Sequence, residues 1–296
     1  MIAFSGTPSK SISARSCGGN AVAPLVRADV VGAVRSELGT DRLVTLTGPG
    51  GVGKTRLAVE TAGGLADAFP DGVWLVELAI LDRQGNPGTS AELADLVAAV
   101  LGLRDDATTA LFPSAGPVSS LDRLTGALRT KRLLLVLDNC EHVTEAAAEL
   151  VGRLLSTAPG LRILATSRQP LAVDGEQVWP VSPLEPPAPG AAIEAVRESS
   201  AVRLFLARAS AAVPGFDLTT GNADAVATIC RRLDGIPLAL ELAATRIRAL
   251  GARELAARVD DRFRLLSGGN RGAPARQRTL RAAGPPQRCR TLCRSH

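Results

Sequence analysis

The 296-residue chain has no apolar run near the ~18 residues that a membrane-spanning helix requires, so a helical transmembrane protein is excluded. Met1 to Phe4 is apolar but too short for a signal-peptide core and lacks a basic start, and the sequence reads as cytoplasmic. Cysteine is scarce and unpaired. Its five positions (17, 140, 230, 289 and 293) are odd in number and form no C-x-x-C, which argues for reduced thiols and against a disulfide framework or zinc site. Cys289 and Cys293 are four apart, but only His296 stands near as a further ligand, so no metal site is expected there. No internal repeat is present.

Acid is also missing from one stretch. From Arg262 to the C-terminus there are nine arginines and no Asp or Glu. Setting these aside, the 29 acids outnumber the remaining bases, so the body is mildly acidic and the pI of 9.3 is a property of the tail. The tail carries no aromatic interleaving and no helix-turn-helix or finger pattern, and it is read as a solvated, disordered end.

Lysine occurs only three times, and one copy, Lys54, sits in the most informative stretch of the chain. Residues 43–47 (LVTLT) read as a buried strand. They break into GPGGVGKT, matching G-x-x-x-x-G-K-[ST], and continue as a helical pattern through Leu57, Ala58, Ala62 and Leu65. Glycines without Cβ let successive backbone N–H groups form an anion-binding nest, and the helix behind it points its positive end at the same place. Gly48, Pro49, Gly50, Gly51, Val52, Gly53, Lys54, Thr55 and Arg56 are the expected phosphate-binding residues. Lys54 is expected to bridge β- and γ-phosphates and the Thr55 hydroxyl to hold Mg²⁺.

The surrounding pattern is strand alternating with helix. Residues 26–38 read as a helix with Val30, Val34 and Leu38 on one face, and residues 73–78 as a second buried strand. Loop follows at 82–89, then a helix N-capped by Ser90, a Gly/Pro/Ser segment at 113–119 and a short helix through Leu121, Leu124 and Leu128. Residues 132–138 and 161–166 are the third and fourth strands, separated by a helix over 144–156. Such alternation implies a parallel sheet covered on both faces. Residues 179–189 carry five prolines and read as the last sheet residues and a linker. Beyond lie helices only, over 200–212, 223–233, 237–250 and 253–259. The expected fold class is α/β, a P-loop NTPase sheet followed by a small all-α domain. The expected division is a disordered segment 1–24, a P-loop domain 25–182, a Pro-rich linker 183–196, a helical domain 197–265 and a basic tail 266–296.

Four aliphatics ending in an acid, LLVLD, place Asp138 at the C-terminal edge of a buried strand, 84 residues after Lys54, where it can hold Mg²⁺. Asn139, not a second acid, follows. The nearest candidate to polarise a hydrolytic water is Glu141, with a helix-dipole role as the alternative. Arg168 follows the fourth strand at the same edge and suits a γ-phosphate sensor, or else is a surface arginine in a loop.

Taken in order, LTGPGGVGKTRLA, LLLVLDNCEH, ILATSRQPL and RRLDGIPLALELAA resemble the STAND-class (NB-ARC-like) ATPase module of bacterial SARP-type and LuxR-type transcriptional regulators, over roughly residues 40–282. The resemblance implies a switch closed by ADP and opened by ATP. It assigns Lys54, Thr55, Asp138 and Arg168 the roles above, and Pro237 packing near adenine. Family members carry a Phe-Val-Gly-Arg-like stretch ahead of the first helix; here only Arg27 stands to fill it. After residue 283 the family pattern gives way to GPPQRCRTLCRSH, which reads as a frame change or truncation, and no DNA-binding domain or sensor repeats are expected in this chain. No guanine-reading N-K-x-D element appears. The first reading is an ATP/ADP-binding switch with slow, regulatory hydrolysis that works with a protein partner or by self-association. A free-standing ATPase acting on a protein partner and a truncated, non-functional fragment are the alternatives.

Overall fold

In a computed structural model the chain is described over residues 3–4, 28–81, 88–103 and 119–259. The basic tail, Arg27, the Gly/Pro/Ser segment up to residue 118, most of the 82–89 loop, and Cys17, Cys289 and Cys293 lie outside the described residues. The chain divides into two units, one of Met1–Gly48 with Gly53–Ser182, the other of Pro49–Val52 with Pro183–His296.

The first unit is built on strands β1 (Ala3–Phe4), β2 (Leu43–Thr47), β3 (Val73–Glu77), β4 (Leu134–Asp138), β5 (Arg162–Ser167) and β6 (Glu176–Pro180), in the order β1-β3-β4-β5-β2-β6. All pairs are parallel except β1 with β3. β1 falls within residues 1–24, expected to carry no regular structure; its two residues take up the free edge of β3. The central strands β2 and β4 are buried at every position, whereas edge strand β6 has none buried, which is why the former read as unbroken apolar runs.

Helices α1 (Ala28–Thr40), α2 (Lys54–Gly63), α3 (Ser90–Val100), α4 (Ser120–Leu128) and α5 (Thr144–Thr157) cover the sheet. Side chains alternate across each strand, so β4 feeds two cores. Leu134 and Val136 join Val44, Leu46 and Leu164 against Leu38 of α1 and Leu57 and Ala58 of α2. Leu135 and Leu137 join Ile163 and Ala165 against Leu93, Leu124 and Leu150 of the other three helices. Each buried leucine contributes roughly 1.5–3 kcal/mol. The start of α3 differs from expectation. Thr89, not Ser90, is the N-cap, because one position earlier Glu92 becomes the third helical residue and closes a capping box: Glu92 N–H donates to Thr89 Oγ1 (3.3 Å) and Thr89 N–H to Glu92 Oε2 (2.8 Å).

The second unit carries α6 (Ile193–Glu198), α7 (Ser200–Ala212), α8 (Ala223–Arg232) and α9 (Pro237–Arg258) around Phe205, Ile229, Leu240, Ile247 and Leu255. Gly251 (φ 69°) breaks α9 where the sequence pattern leaves a gap between two helices. α6 begins inside the expected linker, four residues after its last proline, where nothing further bars helix formation. The preceding residues are tied down. Leu184 N–H donates to Gly235 O (3.0 Å), Ser199 Oγ–H to Glu185 O (2.7 Å) and Glu185 N–H to Ser200 Oγ (2.9 Å). Gly235 is required at this contact: its φ is +65° and a Cβ would lie 1.8 Å from Leu184 O. Within the same unit, Leu238 N–H donates to Gly51 O (3.2 Å).

Cys140 and Cys230 are free, buried thiols; burial pushes both up, Cys230 to about 12. Among the described residues no helix is long and apolar enough to cross a membrane.

Candidate functional site

Parallel pairing brings the C-terminal ends of β2, β4 and β5 to one edge, with Thr47 opposite Ser167 and Leu137 opposite Ala165. At that edge β2 runs into the glycine-rich loop and α2. The N-cap of α2 is Gly53, at φ +102°, a left-handed conformation that glycine adopts at no steric cost. A Cβ built there would meet nothing within 4 Å, so the backbone faces open space. A glycine N-cap also makes no side-chain hydrogen bond to the first turn of α2, the helix end whose dipole suits an anion.

Lys54 opens α2 and is 7% exposed. Its ammonium donates to Gly48 O at 2.8 Å. Burial lowers its pKa, the negative charge of Glu141 opposes this, Arg168 adds to the lowering and Asp138 counters it. The four charged groups therefore share one electrostatic environment. Thr55 Oγ1–H donates to Asp138 Oδ1 at 2.6 Å, which joins the first turn of α2 to the end of β4.

Asp138 is fully buried and carries three donors. Oδ1 accepts from Thr55 and from Thr166 Oγ1 (2.7 Å), while Oδ2 accepts from Asn139 Nδ2 (3.0 Å). Asn139 N–H in turn donates to Thr166 Oγ1 (3.0 Å). Asn139 has φ 62°, a conformation Asn tolerates better than most residues. Hydrogen bonds of this kind offset the several kcal/mol cost of burying a carboxylate.

Glu141 lies in the 3₁₀ turn Cys140–His142 that follows β4. Its Oε1 accepts from Arg168 Nε at 3.3 Å, and its Oε2 is buried with no hydrogen-bond partner among the described residues. The structure thus brings together Lys54, Thr55, Asp138, Glu141 and Arg168. Arg56 is exposed on α2. Pro49, Gly50, Gly51, Val52 and Pro237 belong to the second unit, where Pro237 opens α9. Thr166 and Asn139 were not singled out by sequence as partners of Asp138. The available signal was register, since Thr166 follows Ala165, the neighbour of Leu137, across a parallel pair.

These residues fit a magnesium nucleotide. Hydroxyl and carboxylate oxygens at Thr55 and Asp138 are hard ligands, and Lys54, Arg168 and the α2 N-terminus are complementary to phosphate. Among the described residues no group of three or more His, Cys, Asp or Glu side chains is placed to hold a metal ion. A cation that takes one carboxylate, a hydroxyl, phosphate oxygens and waters needs no such group.

Residues 28–177 match the NB-ARC domain family. A putative HTH-type transcriptional regulator of Mycobacterium tuberculosis is 46% identical over 250 residues, 84% of this chain and 25% of the relative. The regulatory protein AfsR of Streptomyces griseus is 27% identical over 205 residues, 69% of this chain and 18% of the relative. The chain thus spans about a quarter or less of these relatives' length. Among solved structures, a Walker-type ATPase of Pyrococcus abyssi superposes with a TM-score of 0.53 at 15% identity, covering 83% of this chain and 74% of that one, a likeness of fold. The order of strands, the glycine-rich loop and the family match agree: the chain belongs to the NB-ARC domain family, with a P-loop ATPase-like fold.

Proposed function

We propose that this chain binds ATP and ADP with Mg²⁺ and acts as the nucleotide switch of a transcriptional regulator, with slow, regulatory hydrolysis. The observation that carries the reading is the Thr55–Asp138 hydrogen bond at 2.6 Å, beside a lysine buried at the N-terminus of α2. A buried lysine whose pKa is lowered by desolvation gains most from an anion that replaces the lost water. The naming of relatives as transcriptional regulators supports the regulatory part.

In this reading the loop from Gly48 to Arg56 wraps the phosphates and Lys54 neutralises the β- and γ-phosphates. Thr55 and Asp138 would hold Mg²⁺, which supplies further neutralisation of phosphate charge. Arg168 senses the γ-phosphate, and Arg27 and Pro237 contribute to the adenine end. Residues 25–182 form the nucleotide domain and 197–265 the helical domain whose arrangement the nucleotide biases. The module works in the cytoplasm, through a protein partner or by self-association. Asn139 favours a switch over a fast ATPase. In place of a second acid it supplies a donor to Asp138 and cannot take a proton from water.

Titration calorimetry with Mg-ATP and Mg-ADP tests the proposal. The full chain is expected to bind both nucleotides, and Lys54→Ala to lose at least about 100-fold in ATP affinity, the scale of losing a desolvated charge contact. Equal affinity in the variant would sink the site assignment.

A further inference from the structure

Glu141 and Arg168 each suit a direct task on the nucleotide, yet in the structure they hold each other. Arg168 Nε and Glu141 Oε1 are 3.3 Å apart, with the side chains only 29% and 12% exposed. The contact uses one edge of the guanidinium. Among the described residues Arg168 makes no other side-chain hydrogen bond or ion pair, so the donors on Nη1 and Nη2 are uncommitted. Guanidinium presents five donors in a fixed fork, and a partner at Nε orients the fork while leaving its outer edge to an oxyanion.

The second oxygen of Glu141 adds an independent observation. Among the described residues Oε2 is buried without a partner, a state with a desolvation cost that an isolated helix-terminal acid on the surface would not incur. Glu141 is placed here by the fold. Leu137 and Asp138 end β4, Asn139 takes a left-handed conformation, and the turn Cys140–His142 returns the chain to the edge where β5 delivers Arg168. Both charges also act on Lys54, with opposite signs.

We propose that Glu141 is the positioning residue for Arg168. It anchors the guanidinium through Nε so that the Nη donors stay available to a γ-phosphate, and it thereby sets the preference for ATP over ADP. This rests on the nucleotide reading above and deepens it. Without the anchor, a long arginine side chain distributes over rotamers and must be ordered anew by each ligand, a cost that falls on the nucleotide with the extra phosphate. Losing a carboxylate also makes the site more positive, so total nucleotide affinity is expected to hold or rise while discrimination falls. A general base would behave differently: its loss stops hydrolysis and leaves the ratio of affinities intact.

The test is the ratio of ADP to ATP dissociation constants in the full chain, measured calorimetrically with Mg²⁺ and adenylyl imidodiphosphate in place of ATP. Glu141→Ala and Arg168→Ala are each expected to lower the ratio by about tenfold, and the double variant by no more than either alone, because the two act as a unit. Glu141→Gln keeps an acceptor for Nε without the charge, preserves the volume if Ala does not fold, and is expected to retain part of the ratio. An unchanged ratio in both Glu141 variants beside a collapsed one in Arg168→Ala would overturn this inference and leave the site standing. Additive losses in the double variant would overturn it as well. No binding of either nucleotide by the unmodified chain would overturn the nucleotide reading itself and this inference with it.

Discussion

The two units bury different kinds of side chain. Among the described residues the buried polar groups are Thr45, Thr47, Lys54, Thr61, Thr125, Asp138, Thr166 and Ser167, all in the sheet unit. Among its described residues the helical unit buries only apolar side chains and cysteine, Phe205, Ile229, Cys230 and Leu240 among them. Among the described residues its ion pairs include Arg197–Asp217, Arg208–Glu241 and Arg258–Glu254, all partly in solvent. A buried charge costs several kcal/mol unless compensated, so a unit that keeps Lys54 and Asp138 inside is less stable than an apolar version of itself needs to be. Five of its eight buried polar residues lie at the C-terminal edge of the sheet or at the start of α2 beside it: Thr47, Lys54, Asp138, Thr166 and Ser167. The helical unit is organised for packing, and the sheet unit accepts a packing penalty at the edge where the proposed nucleotide site lies.

Three substitutions sharpen this contrast. The largest effect is expected from Phe205→Ala in the helical core, a loss of about 3–5 kcal/mol in urea unfolding followed by circular dichroism, because a fully buried ring leaves a cavity. Gly235→Ala comes next, at about 2 kcal/mol or more. The new methyl meets Leu184 O in a backbone conformation unfavourable to alanine, and the same unfolding measurement reads the loss. The smallest effect has the opposite sign. Lys54→Met, which removes the charge but keeps most of the volume, is expected to stabilise the nucleotide-free chain by up to about 1 kcal/mol. Both tryptophans, Trp74 and Trp179, lie in the sheet unit, so fluorescence reports this change. Its pH dependence carries a sign. Desolvation holds Lys54 below its ordinary value of 10.5, so between the lowered value and 10.5 the unfolded chain binds a proton that the folded chain has released. Stability attributable to this group therefore rises with pH across that window, and Lys54→Met removes the rise. A destabilised Met variant would break the comparison, since it would make Lys54 a structural asset.

How much of this was legible in sequence depended on whether the determinant was local. The strand, glycine loop and helix around Lys54 are fixed by spacing within about twenty residues, and the aliphatic run ending at Asp138 likewise announces a buried strand. The break at Gly251 also shows as a gap in the apolar pattern. The α3 cap was off by one residue because Thr89 and Ser90 are both good caps, and only the reach of Glu92 decides between them. Helix α6 was hidden by the prolines ahead of it. The roles of Thr166 and Asn139 arise from strand register and one left-handed residue, neither of which a linear pattern encodes. The Glu141–Arg168 pair is invisible for the same reason: 27 residues separate two side chains that the sheet edge makes neighbours.

In the proposed function, the polar interior of the sheet unit binds nucleotide through Lys54. This is tested most directly by denaturing the freshly purified chain and identifying released nucleotide by chromatography, beside Lys54→Ala treated the same way and with added Mg-ATP as a control for loss during purification. Adenine nucleotide is expected on the unmodified chain, as purified or after loading, and none on the variant. A folded chain that holds no nucleotide under either condition, or a variant that holds as much, would contradict it.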